Sequence, residues 1–187
     1  MDKREIAANL ILRAVKSYVN AQNDMDYIQA ILLAGSSVGI TEPLLKEQQT
    51  KTATEKSTDV IMKMRASDIF WEGNKLVINQ KTKNLSRRER EDISKSTRIF
   101  DRGIYNALKH TGIPQQDLSP SDDVIIEADF QSEAEEIIYD AVHDFNSLKF
   151  DENFQYHQLP EDIIILLNCS DPMGIIPEPV AKQRTHS

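Results

Sequence analysis

Apolar residues recur near the start of the chain at the spacing of one helical face. Ile6, Ala7, Leu10, Ile11, Ala14, Val15, Tyr18 and Val19 keep the three, four, seven, eight rhythm, which predicts a helix from about Lys3 to Asn20. "AQNDMD" reads as a turn, with Asp24 or Asp26 available to cap a second helix. In the next apolar stretch Ala30, Ala34, Gly35, Ser36 and Ser37 leave room for another helix to approach closely. Gly39 and Pro43 predict that this second helix is broken into two parts, because a mid-helix proline removes a hydrogen bond and crowds the preceding turn.

The polar "TKTATEKST" predicts a loop, after which Ser57 or Thr58 starts a third helix running to about Trp71. "EGNKLVINQKTKN" is expected to be a loop or at most a brief extended piece. The clearest local signal is "LSRRE": Ser86 caps, Glu89 completes a capping box and Leu85 is placed as a hydrophobic staple. A long helix is expected from there to His110, with Gly112 as its left-handed stop and Pro114 just beyond. After a loop of turn formers and a piece "VIIEADF" of extended character, helical spacing returns through Ala134, Ile137, Ile138, Ala141, Val142, Phe145 and Leu148, with Ser132 and Glu135 as a second capping box. The remainder holds four of the seven prolines and no sustained period. The expectation is an all-α antiparallel bundle of four to five helices over residues 1–150, with an irregular tail over 151–187 that docks through Ile163 to Leu167.

Composition narrows the class. The chain has 187 residues, 40% hydrophobic and 28% charged, enough for one core and too apolar for global disorder. The longest unbroken aliphatic run, Ile163 to Leu167, falls far short of the ~20 apolar residues of a membrane span, so no membrane partner is expected. "MDKREIAANLILRAV" lacks the pattern of a secretory signal. Cys169 is the one cysteine, which excludes an internal disulfide and a cysteine-based zinc site and fits a reducing cytoplasm.

The net charge of −8 conceals an uneven distribution. From Lys75 to Lys109 ten Lys and Arg face four Asp and Glu, a balance of +6; from Asp117 to Asp162 one faces fourteen, a balance of −13. The two regions either pair with each other across the bundle or give the molecule one basic and one acidic side. A pI near 5.0 argues against unspecific binding of nucleic acid.

Candidate chemistry gathers at the end of the long helix. Residues four apart are offset by about 40°, so Arg98, Arg102, Asn106 and His110 form one drifting stripe with Tyr105 and Lys109 alongside. Arginine offers a rigid donor fork, lysine a point charge and histidine a proton carrier near neutral pH, a set able to hold phosphate and to cut RNA without metal. The plainer account is that cations near a helix C-terminus complement its dipole. His143 and His157 lie among carboxylates without the spacing of a metal motif such as HExxH, so no metal or other cofactor is expected. "LLAGSSVGIT" is neither a dinucleotide fingerprint nor a phosphate loop.

Three pieces in order resemble bacterial proteins of the HEPN family: "DYIQAILLAGSS" their second helix, "YNALKH" the RNxxKH end of a later helix, and "VIIEADFQSEAEEIIYDAVHDFNSL" their final acidic helix. The resemblance covers about Lys3 to Leu148. It implies a helical bundle, a homodimer and, in active members, a metal-independent ribonuclease of toxin–antitoxin or antiviral systems that works in a cleft where two Arg-x(4–6)-His motifs meet. His110 matches the family histidine and Asn106 its polar neighbour. Tyr105 stands where the family has arginine, and Arg102 lies eight residues before His110, outside the family spacing. The function expected is therefore a non-catalytic interaction module, binding a partner protein or RNA. The alternatives are a ribonuclease with His110 as general base or acid and Arg102 as phosphate clamp, with Arg98, Asn106, Lys109 and Tyr105 lining the RNA, or a small-molecule binder with a pocket near Gly35 to Gly39.

Overall fold

A computed structural model describes residues 2–79, 84–110, 125–151 and 154–169. Six α-helices and one β-hairpin are formed among them: α1 Lys3–Val19, α2 Asp24–Glu47, α3 Ala53–Ala66, β1 Asp68–Glu72, β2 Lys75–Asn79, α4 Arg87–Lys109, α5 Phe130–Asn146 and α6 Glu161–Asn168. The molecule is a helical bundle, as the periodicity predicts.

The core grows from the periodic faces. Ala7, Ala8, Ile11, Ala14, Val15 and Val19 of α1 meet Ala30, Ile31, Ala34, Val38 and Leu45 of α2 and Ala134, Ile137, Ile138, Ala141, Val142 and Phe145 of α5. Small residues at the crossing let the backbones come close enough for the Ser37 hydroxyl to donate 3.0 Å to the Ala7 carbonyl of α1. That bond satisfies a fully buried hydroxyl, which would otherwise cost free energy. Burial of Phe145, Ile11, Ile138 and Ile31 stabilises the fold by roughly 1.5–3 kcal/mol each.

α2 runs unbroken through Gly39 and Pro43, in place of the two parts those residues predict. Buried residues on either side of the proline, Thr41 and Leu45, hold the helix to the core, and the Thr41 hydroxyl donates back to the Ser37 and Val38 carbonyls at 3.3 Å. Tertiary packing outweighs the local cost of the proline. By length and composition α2 also qualifies as a membrane span, a property it shares with many core helices.

Three further boundaries differ from expectation. α3 begins at Ala53, inside the expected loop, because Thr52 and Glu55 form a capping box. It ends at Ala66, short of Trp71, where the chain enters β1. β1 and β2 pair antiparallel from Asp68↔Asn79 to Glu72↔Lys75 around Gly73, whose φ of +60° at the first position of a two-residue turn favours glycine. α5 starts at Phe130, capped by Asp129, whose carboxylate accepts the Ser132 N–H; Ser132 lies inside the helix. The expected stop at Gly112 and Pro114 lies outside the described residues.

Of the segment expected as a tail, residues 161–168 form α6, with Ile163, Leu166 and Leu167 buried against the bundle. Asn146 fastens it by donating 2.7 Å to the Leu167 carbonyl.

Candidate functional site

α4 positions every residue of the expected stripe. Ser86 accepts the Glu89 N–H, and the Glu89 carboxylate accepts the Ser86 N–H at 2.8 Å, so the helix starts where the capping box places it. Its first turns stand in solvent, and full burial begins at Thr97. Tyr105 then anchors the helix to α2: its ring lies over Gly35, where any Cβ would collide with ring carbons. Tyr105 is therefore a core residue, 9% exposed. Lys109 carries its ammonium 5.6 Å from the centre of that ring, a cation–π contact.

The stripe divides at this point. Arg98 and Arg102 both turn to Glu42 of α2, with contacts of 2.7 Å to Oε1 and 2.9 Å to Oε2. Lys46, one turn on from Glu42, adds a third cation at 2.8 Å. Burial would push the Glu42 carboxyl up, but the Lys46 hydrogen bond and the charges of Arg102, Lys46 and Arg98 outweigh it and hold the group below its ordinary value. Glu42 and Arg102 are only 14% and 15% exposed, so this pair is an internal structural contact.

Asn106 and His110 lie outside this cluster and are exposed. His110 is the C-cap: its backbone is extended and its N–H donates 2.9 Å to the Asn106 carbonyl. Eight residues separate Arg102 from His110, about 12 Å of rise and roughly 80° of rotation. Arg102 is turned away to Glu42 at 2.9 Å instead of along the helix toward His110. Within one chain the structure brings Arg98 and Arg102 together and leaves His110 apart from them.

The hollow beside Arg98 and Arg102, about 460 Å³, is also lined by Lys46, Lys51, Glu42 and Asp59. Lys51 pairs with Asp59, and Glu55 accepts the Thr52 N–H, so the charges there are largely matched within the chain. A phosphate meeting Arg102 there would have to displace Glu42.

The other side of α4 carries a different set. Asp101 of α4 and Asp140 of α5 face a groove of about 650 Å³ between α3, α4 and α5, with Glu136 also in its lining. Burial pushes the Asp140 carboxyl up to about 7; the charges of Asp101 and Asp144 add to this, and Arg102 and His143 oppose it. Burial also raises Asp101, against the Thr54 hydroxyl and Arg102. Asp144 is 1% exposed and accepts the Ala53 N–H at 2.6 Å, pinning the start of α3. Apolar wall is supplied by Ile61, Phe100 and Tyr139.

His143 has Lys56 3.1 Å from Nε2 and Asp144 3.7 Å from Nδ1, while His157 is exposed on a short turn. Among the described residues no three His, Cys, Asp or Glu side chains converge as a metal site requires.

Sequence pattern alone does not reveal Glu42 or the Asp101–Asp140 pairing. Glu42 shows only a local signal, the i, i+4 spacing to Lys46. Its partners on α4 lie about sixty positions away, and no periodicity marks them. No family model, curated protein or solved structure matches the chain.

Proposed function

We propose that the chain is a non-catalytic interaction module that engages a partner protein through the groove between α3, α4 and α5. The observation that carries this reading is the Glu42 cluster. A phosphate clamp needs Arg102 free to meet its ligand, and Glu42 occupies Arg102 and Arg98 alike. Tyr105, where the HEPN motif has arginine, serves packing on Gly35. Exposed apolar groups line the groove instead, where Phe100 is 69% exposed. Large exposed apolar residues gathered together mark interaction surfaces.

The HEPN resemblance extends the reading to a cytoplasmic homodimer that works within a prokaryotic defence or toxin–antitoxin system. Light scattering on the purified chain tests the dimer.

The test of non-catalytic function is RNA cleavage in the presence of a chelator. The wild-type chain is expected to leave a mixed-sequence single-stranded RNA intact at the rate of buffer alone. His110→Ala is the informative variant, since His110 is exposed and its loss spares the fold. Cleavage by the wild type that disappears in His110→Ala, with unchanged thermal unfolding, replaces this reading with the ribonuclease. Arg102→Ala is the weaker test, because it also leaves Glu42 short of a partner.

A further inference from the structure

Resting on the interaction-module reading, we propose that the groove between α3, α4 and α5 docks a basic amphipathic helix of the partner protein. Its apolar side chains would meet Ile61, Phe100 and Tyr139, and a lysine or arginine would meet Asp101 and Asp140.

The shape comes from helix geometry. On α3 the lining residues Ser57, Ile61 and Arg65 are four apart, and on α4 the lining runs from Ile93 to Asp101. Each row spans eight residue steps, so the trough is about 12 Å from end to end. Rows of residues four apart are the ridges between which another helix packs, and ~12 Å is close to the i to i+7 span of such a helix. The walls remain wet in the isolated chain. Phe100 is 69%, Tyr139 37% and Ile61 36% exposed, with Met64 and Val60 of α3 at 46% and 54% beside them. A small organic ion would leave most of that surface in water.

Charge selects the partner. Asp101, Glu136 and Asp140 line the groove against one cation, Arg65, so the trough is negative. A second copy laid symmetrically over it would gather the Asp101, Glu136 and Asp140 of both copies with only the two Arg65 side chains to offset them, since a two-fold interface places each patch on its own image. Like charges opposed in a desolvated interface weaken it severely. A partner bearing lysine or arginine meets no such penalty. Asp101 and Asp140, partly withdrawn from water by the groove walls, gain a counter-charge that Arg102 supplies only in part.

The test uses the full chain and a fluorescein-labelled helical peptide of about fourteen residues, leucine at one face and lysine elsewhere, at about 0.15 M salt. Anisotropy is expected to show saturable one-to-one binding. Phe100→Ser, and separately Asp101→Asn with Asp140→Asn, should each weaken it at least about tenfold, as central interface contacts do. Glu161→Gln with Asp162→Asn, which remove exposed charges on α6, should leave it unchanged, showing that overall acidity is not the cause. Unfolding curves certify each variant.

Four results overturn the proposal. They are equal binding of a leucine–glutamate peptide, equal binding of a serine–lysine peptide, displacement of the peptide by spermine at matched charge, and no binding below about 100 µM. Spermine displacement points to a small organic cation as the ligand. None of the four bears on whether the chain cleaves RNA, so failure here is distinguishable from failure of the non-catalytic reading.

Discussion

Two glycines of α2 predict opposite responses to the same substitution. At Gly35 an added methyl meets Tyr105 ring carbons, and the ring is held by the α2–α4 contact, so it has little room to retreat. Gly35→Ala should destabilise the chain by about 1–3 kcal/mol, the usual effect of overpacking. Gly39 has nothing within 4 Å of its Cβ position, and Gly39→Ala should stabilise by about 0.5–1 kcal/mol through helix propensity. Urea unfolding of both variants checks the pair, and equal effects would show that the Tyr105 contact is wrong. Asp140 makes stability depend on pH. Its folded value of about 7 lies above the ordinary 3.8, so between roughly pH 4 and 7 the native state holds a proton that the unfolded state lacks. Stability from this group therefore falls as pH rises through that window and is level above it. Asp140→Asn cannot ionise, so it should exceed the wild type in stability at about pH 8 by roughly 1–3 kcal/mol and lose most of that advantage at about pH 4.5. Denaturant melts at the two pH values measure it. An advantage equal at both would mean that Asp140 titrates normally.

At the level of elements, the starts of α1 to α5 are each set by a capping side chain, and signals of this kind are legible in sequence. Ser86 with Glu89 marks the start of α4, and the apolar faces of α1 and α5 can be traced residue by residue. Thr52 with Glu55 is the same signal, hidden because it sits in a run of threonines and lysines that resembles a loop. Pro43 shows the opposite case: a sound local rule yields to the burial of Thr41 and Leu45. β2 falls in the piece expected to be briefly extended, but β1 and the hairpin escape pattern reading, because a pairing between two strands has no period within either one. Of the candidate site, the places of Arg98, Arg102 and His110 on α4 are legible, but the direction of the arginines is not, since it depends on Glu42 of another helix. The α3 start allows a test. Thr52→Ala removes the hydroxyl that accepts the Glu55 N–H and should cost about 1 kcal/mol. Hydrogen exchange should accelerate mainly at Thr54 and Glu55. Uniform acceleration across the bundle would show that α3 does not unfold separately.

Across the whole molecule, the basic region bears on the acidic one through the charge of Arg102 near Asp140. Glu42, from neither region, draws Arg98 and Arg102 of α4 toward α2, so the acids of α5 keep an open groove in place of an ion-paired seam. The segment beyond α5 completes the core from the other side. Ile163, Leu166 and Leu167 are 0%, 2% and 3% exposed, and they lie in one apolar cluster with Phe145, Leu148, Phe154 and Leu159. Phe150 links the ends of this cluster, with its ring 5.9 Å from Phe145 and 5.8 Å from Phe154. Each of the three α6 residues contributes roughly 1.5–3 kcal/mol by burial, and their loss would also bare the core residues beneath them. A chain ending at Phe150 should therefore lose roughly 5 kcal/mol or more, comparable to the whole stability of many domains of this size. It should bind a hydrophobic dye and melt without a sharp transition. A truncation at Phe150 that kept a cooperative melt within a few degrees of the full chain would show that α6 rests on a bundle already complete without it.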